Sequence, residues 1–514
     1  MKYFLTLIQL WVGFLSICAS YPKANIWIIP SVESPQVYRN YAQTSKVHLE
    51  MARGEVEHIQ LVFPSKVNEE YRFTFDRYLK GIQISARELK KMNGYYDALV
   101  PFKNQLKCTD TLTAVWITVQ CPSRVPVGKY HQTIKIEGSK HFTIQLDYNV
   151  HHTTIPLKSS IPITVGVENR CMTEGLNDKE ADKERQRWVD FVLSYRMTPV
   201  FGTQITPERW QYEHSFSPWA WNDKRSIRLL NDRRYSCYML PFFTLSENEL
   251  ASLLCNIQKK GKLKESLFYI WDEPAYMEDY EQIKQKVNII RKYASDARIL
   301  TTFFCGPRNG PRKGDLYAVF DYLKHHIHVA TISLAPCKGN EEEVQHIRYK
   351  VPEGIDWWSY VCWQPGGNEP NFLLQMKGIQ QRAVMWRTWK NGSQGFLYWN
   401  CNIYHKRNPF TYITDMPHGD GILIYPGDIL GCKGPIASAR LERWRDGAEE
   451  MELLRLVEKN YSKEKADTLL NIVYSSPLSF IEKAHNIPFF RKELLDQLDK
   501  TIPIDYKLRI TDFI

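Results

Sequence analysis

From Pro156 onward, apolar strand-like runs alternate with amphipathic helical stretches, and few architectures accommodate that alternation. The runs are Ile163 to Val167, Thr198 to Phe201, Cys237 to Phe243, Leu267 to Trp271, Ile299 to Phe304, His328 to Leu334, Trp357 to Val361 and Phe396 to Trp399. Between them apolar residues recur at helical spacing, as in Trp188, Phe191, Val192 and Tyr195, or Tyr280, Ile283, Val287, Ile290 and Ala294. Eight strands alternating with helices predict a (β/α)8 TIM-type barrel. A last amphipathic helix, Ala437 to Val457 with Leu441, Trp444, Ala448 and Met451 on one stripe, would close it. The text before Pro156 is different. Val56 to Phe63, Ala114 to Val119, Tyr130 to Ile136 and Phe142 to Tyr148 are β-rich, with turns at Pro126-Val127-Gly128 and Gly138-Ser139, which predicts a β-sandwich. The expected organisation is a signal peptide over residues 1–20, a β-sandwich domain over 21–156 and a (β/α)8 catalytic domain with C-terminal helices over 157–514.

At 514 residues the chain exceeds what one core organises, and its 43% hydrophobic and 24% charged content is that of a folded protein. The net charge of +10 is spread without a Lys/Arg block or nucleic-acid motif, so no nucleic-acid partner is expected. Residues 1–20 carry Lys2, an apolar stretch to Ile17 and the small-residue end Cys18-Ala19-Ser20, a leader that implies secretion or a periplasmic location. Cys18 brushes against a lipid-attachment signal, but the bulky Ile17 before it argues against anchoring. No later segment predicts a membrane span, and composition sets no oligomeric state. Of the eleven cysteines, those beyond Cys18 form no Cys-x-x-Cys pair and no zinc-like spacing, so no metal site is expected. Cys108 and Cys121 are close enough in sequence to suggest a disulfide.

The fourth run, Leu267-Phe268-Tyr269-Ile270-Trp271, delivers two adjacent carboxylates, Asp272 and Glu273, to Pro274. A barrel carries its chemistry at the C-terminal ends of its strands, where this pair falls. As a helix cap the pair would be poor, because with Pro274 first in the helix the cap position belongs to Glu273. Other strand ends carry aromatics and amides: Trp357, Trp358, Tyr360 and Trp363, then Tyr398, Trp399, Asn400 and Asn402. Aromatic faces pack on the C–H faces of sugars, and amides and phenols read ring substituents. Trp271, Trp358, Tyr360, Tyr398, Trp399, Asn400 and Asn402 are therefore the candidate substrate-binding residues. Two carboxylates that flank a glycosidic bond from opposite faces cannot easily be neighbours in sequence. Adjacent Asp-Glu suits substrate assistance: a 2-acetamido oxygen attacks the anomeric carbon, Asp272 orients and charge-stabilises the acetamide, and Glu273 is the acid/base. An ordinary retaining glycosidase with a distant nucleophile such as Glu168 or Asp420, and a noncatalytic carbohydrate-binding barrel, are the alternatives.

Trp271-Asp272-Glu273-Pro274, the Trp357-Trp358-Ser359-Tyr360 run, Gly395-Phe396-Leu397-Tyr398-Trp399, the Gly419 to Gly427 loop, and Ser438 to Glu442 leading to Arg445-Asp446-Gly447 resemble glycoside hydrolase family 123. Ala52-Arg53-Gly54-Glu55 with Gln60 is similar to that family's β-sandwich portion. The resemblance implies a secreted, exo-acting enzyme that releases terminal β-linked N-acetylgalactosamine from a glycan or glycoconjugate by substrate assistance, without metal or organic cofactor. Asp272 matches the acetamide-polarising residue and Glu273 the acid/base. Glu168-Asn169-Arg170, at the first strand's end, lies outside these motifs and leaves N-acetylglucosamine as the alternative sugar.

Overall fold

The computed structural model describes residues 26–76, 81–206, 211–404, 408–409 and 417–501. The leader and Cys18 lie outside the described residues. Ten strands form the amino-terminal portion: β1 (Trp27–Pro30), β2 (Lys46–Arg53), β3 (Glu55–Pro64), β4 (Glu70–Phe75), β5 (Gln83–Met92), β6 (Tyr95–Pro101), β7 (Gln105–Lys107), β8 (Leu112–Cys121), β9 (Gly128–Glu137) and β10 (His141–Thr154). They make two five-stranded sheets, β1-β3-β8-β5-β6 and β2-β10-β9-β4-β7. The alternation along β10 explains the layering, since Phe142, Ile144, Leu146, Tyr148 and Val150 all turn into the core shared with Ile59, Leu61, Phe63, Val115, Ile117 and Val119 of the other sheet. Cys108 and Cys121 are free, buried thiols, not a disulfide. Cys121 is the last residue of β8 and Cys108 precedes its first, and the strand's length of about 30 Å far exceeds the Cα separation of about 7 Å that a disulfide tolerates.

The second portion is built on one nine-stranded mixed sheet: β11 (Ile163–Glu168), β12 (Thr198–Thr206), β13 (Gln211–Ser215), β14 (Tyr238–Met239), β15 (Ser266–Trp271), β16 (Arg298–Phe303), β17 (Val329–Ser333), β18 (Asp356–Val361) and β19 (Phe396–Tyr398). The sheet order is 13-12-11-19-18-17-16-15-14, so the first long strand pairs in parallel with the last and the sheet curls nearly shut. The expected closed ring of eight parallel strands is corrected in one place. No ladder joins β12 to β14; antiparallel β13 stands in that gap, and Phe216 N–H donates to Met239 O across it at 2.6 Å. Val200, Met239, Leu267, Tyr269, Leu300, Val329, Trp358, Tyr360 and Leu397 fill the interior. Helices stand between the strands: α1 (Asn169–Thr173), α2 (Asp178–Ser194), α3 (Lys224–Leu229), α4 (Glu247–Lys259), α5 (Met277–Arg291), α6 (Tyr317–Leu323), α7 (Glu341–Lys350) and α8 (Gly378–Lys390). Among the described residues no helix is long and apolar enough to cross a membrane.

The described residues end on α9 (Ala439–Asn460), α10 (Lys463–Leu470) and α11 (Ile487–Asp499). The stripe Leu441, Trp444, Ala448 and Met451 is buried as the periodicity predicts, but so are Arg440, Glu442, Arg443, Arg445, Asp446, Glu449, Glu450 and Glu452. Their side faces the amino-terminal sheets, so a buried ionic lattice replaces solvent there. Arg382 pairs with Asp446 at 3.0 Å and Glu450 at 2.6 Å, and Arg491 with Glu55 at 2.7 Å and Glu57 at 2.9 Å. His58 of β3 reaches Glu442 at 3.1 Å. Charges buried this way fix registry through mutual pairing, because removing one partner leaves the other uncompensated.

Candidate active site

Strand β15 carries the acidic pair, and a local irregularity aims it. The pairing of β15 with β16 slips between Tyr269 and Trp271, so Trp271 leaves the interior alternation and packs against the helix layer, with Lys286 Nζ of α5 5.5 Å from its ring centroid. Asp272 then turns inward. Its Oδ1 accepts from Tyr269 Oη at 2.6 Å and Thr302 Oγ1 at 2.7 Å, which fixes the carboxyl's rotation and leaves Oδ2 to the cavity. Thr302, at the end of β16, also accepts from the Glu273 backbone N–H at 2.9 Å. One hydroxyl thus registers both acids. Glu273 itself holds φ at 43°, in the left-handed region that a side-chain-bearing residue rarely adopts, and such strain recurs at functional positions. Helix α5 starts at Met277, three residues past Pro274, and its first turn is capped by Asp279, so the Asp-Glu pair is no helix cap.

Both carboxyls open into a cavity of about 440 Å³ lined by Tyr212, His214, Phe243, Tyr269, Trp271 and Tyr276 around the acids. Partial loss of water around the Glu273 carboxyl, with the Asp272 charge beside it, pushes it up to about 7, against the lowering effects of the Tyr360 hydroxyl that donates to Glu273 Oε1 and of the Arg308 charge. A carboxyl raised that far keeps its proton near neutrality and can give it away. The other two carboxylates lining this cavity are engaged at the start of α5: Asp279 accepts from the Ala275 and Tyr276 N–H groups at 2.9 Å each, and Glu278 Oε2 accepts from Asn309 at 3.2 Å. His214 lies stacked on Tyr269, centroids 4.3 Å apart, and burial pushes its imidazole down to about 4, so it is neutral near pH 7. A smaller cavity of about 60 Å³ continues past Tyr212, His214, Tyr269 and Asp272 to Tyr398, Trp399 and Asn400.

The other expected substrate contacts separate by depth. Tyr360 touches Glu273, and Trp399 and Asn400 line the inner cavity. Trp358 shares the inward face of β18 with Tyr360 but sits one repeat deeper, 1% exposed, its indole filling the space over Gly395, where a Cβ would come within 2.2 Å of the ring. It is a packing residue. Asn402 is likewise fully buried, its amide clamped on the backbone of Glu168 at 2.8 and 3.2 Å. Tyr398 also lines the inner cavity, but it is fully buried and its hydroxyl donates to Asp420 Oδ1 at 3.2 Å. Glu168 and Asp420, raised by burial to about 7 and about 6, line neither of these cavities, which does not favour a distant protein nucleophile. Gly166 lets the chain leaving β19 cross directly over β11, since a Cβ there would meet Trp399 O at 1.9 Å. The residues that sequence alone did not mark are Tyr212, His214, Tyr269, Thr302 and Tyr276. Among the described residues no group of three His, Cys, Asp or Glu side chains could hold a metal ion.

No curated protein sequence matches the chain at a significant level. Among solved structures, a family 123 glycoside hydrolase from Clostridium perfringens, analysed for glycolipid glycan hydrolysis, superposes with a TM-score of 0.63 at 13% identity, covering 95% of this chain and 100% of that one. Other matches are a β-galacturonidase from Eisenbergiella tayi (TM-score 0.34, 8% identity, 77% and 90% covered) and a β-D-glucuronidase from Dictyoglomus thermophilum (TM-score 0.32, 9% identity, 79% and 71% covered). The sequence profile described as the glycoside hydrolase 123 catalytic domain matches residues 183–457, which run from within α2 through most of α9 and include both acids. With more than half of the chain matched by that profile, the protein belongs to glycoside hydrolase family 123.

Proposed function

We propose that this protein is an exported, exo-acting retaining β-N-acetylgalactosaminidase in which the substrate's own acetamide is the nucleophile. Asp272 accepts the acetamide N–H on Oδ2 and offsets the charge that develops on nitrogen, while Glu273 protonates the departing oxygen and later activates water. The single observation that carries the proposal is the unlike treatment of two neighbouring carboxyls: Asp272 is held by two hydroxyl donors, and Glu273 is raised to about 7 at a strained backbone position. Unlike surroundings for two adjacent acids separate an electrostatic partner from a proton donor. Export rests on the residue 1–20 leader. The glycolipid glycans of the Clostridium perfringens enzyme make glycolipid-borne chains the first conjugates to assay.

Hydrolysis of paired aryl β-glycosides that differ only at C4 tests the sugar. The galacto-configured 2-acetamido compound is expected to exceed its gluco epimer in kcat/KM by about tenfold or more, the scale of one hydroxyl read by a directed hydrogen bond. Preference for the gluco epimer would make the protein an N-acetylglucosaminidase instead.

A further inference from the structure

We propose that Trp363 and Phe304 form an aglycone subsite, an aromatic platform that receives the C–H face of the sugar ring on the far side of the scissile bond. The inference rests on Glu273 being the acid, because the acid must lie against the leaving oxygen and hence beside the first aglycone ring. Two elements hold Glu273, Thr302 through its backbone and Tyr360 through its carboxyl. Phe304 follows Thr302 by two residues and Trp363 follows Tyr360 by three. Strands β16 and β18 flank β17, so the two rings meet over the end of β17, with centroids 6.4 Å apart and planes 18° from parallel. Trp363 is 43% exposed and is the one tryptophan among the described residues that stands out into solvent, whereas Trp357 and Trp358 before it are buried. A large aromatic face left open just past the two elements that hold the acid catalyst is what a sugar ring stacks on.

The platform is also held still. Cys362 N–H donates to Gln364 O at 3.0 Å, and the fully buried Asn371 amide donates to both Cys362 O and Pro365 O at 2.8 Å. A loop tied down before the ligand arrives loses little entropy on binding. The ligand class is a glycan in which the amino sugar is joined to a second hexopyranose, in preference to one joined to a small alkyl group.

The test compares wild type, Trp363→Ala and Trp363→Phe on two substrates: the methyl β-glycoside of N-acetylgalactosamine, and the same sugar β-linked to the 3-position of galactose. Both leaving groups are poor alkoxides that need the same proton, so only the second ring differs. The disaccharide-to-methyl ratio of kcat/KM is expected to fall about tenfold or more in Trp363→Ala and to be largely retained in Trp363→Phe, as the loss and retention of one stacking face require. An unchanged ratio in Trp363→Ala, whether both rates fall together or neither does, overturns the subsite. If wild type cleaves only the gluco-configured pair, the sugar assignment fails, and the ratio read on that pair still decides the platform.

Discussion

Asp272→Asn is expected to lower kcat on a β-linked N-acetylgalactosaminide by about 10²- to 10³-fold, the cost of losing one preorganised electrostatic contact, with a smaller change in KM. The amide keeps the shape and can still meet Tyr269 and Thr302, so substrate should continue to bind. What disappears is the negative charge facing the acetamide nitrogen as it becomes positive. Thr302→Val, which removes one of the two hydroxyls on Oδ1 and the acceptor for the Glu273 N–H, should produce a smaller loss that Thr302→Ser largely restores. Steady-state kinetics on the three variants checks the order. Full activity in Asp272→Asn would remove Asp272 from the chemistry.

Glu273→Gln should lose about 10²- to 10⁴-fold on substrates whose leaving oxygen needs a proton, and much less on aryl glycosides with an acidic phenol, because the latter depart unaided. The pH profile gives the second readout. Glu273 must carry its proton at the start of the reaction, and its raised carboxyl loses it near 7, so wild-type kcat/KM on alkyl glycosides should fall as pH rises through about 7. That alkaline limb should vanish in Glu273→Gln, which has no proton to lose there. Equal losses on both leaving groups, with the limb intact, would move the acid elsewhere.

Much of the fold was legible because its strands are short apolar runs set between helical periods. The acids were legible because adjacent carboxylates at a strand's end, ahead of a proline, have little structural use. Other features were invisible for physical reasons. Thr302 sits in Ile299-Leu300-Thr301-Thr302-Phe303, where a threonine reads as an ordinary β-former, and nothing local says that its hydroxyl will meet two acids from the end of the preceding strand. Strand β13, which brings Tyr212 and His214, is an antiparallel insertion that breaks the expected alternation. Trp358 and Tyr360 share parity, so the pattern on β18 could not tell the buried packing residue from the one that reaches Glu273. Helix α9 read as amphipathic, yet its charged side is buried too, because the partners that neutralise it, His58, Arg382 and Arg491, come from distant parts of the chain.

The central claim is that the nucleophile belongs to the substrate. It is tested most directly by kcat/KM across aryl β-glycosides of galactosamine whose 2-acyl group is acetyl, monofluoroacetyl, difluoroacetyl or trifluoroacetyl. Fluorine withdraws electrons from the carbonyl oxygen in steps with little change in size, so attack by that oxygen should weaken at each step and the rate should fall steeply along the series. A flat series, or efficient cleavage of the matched 2-hydroxyl sugar, would show that a protein carboxylate makes the bond to the anomeric carbon and that Asp272 does not serve an acetamide.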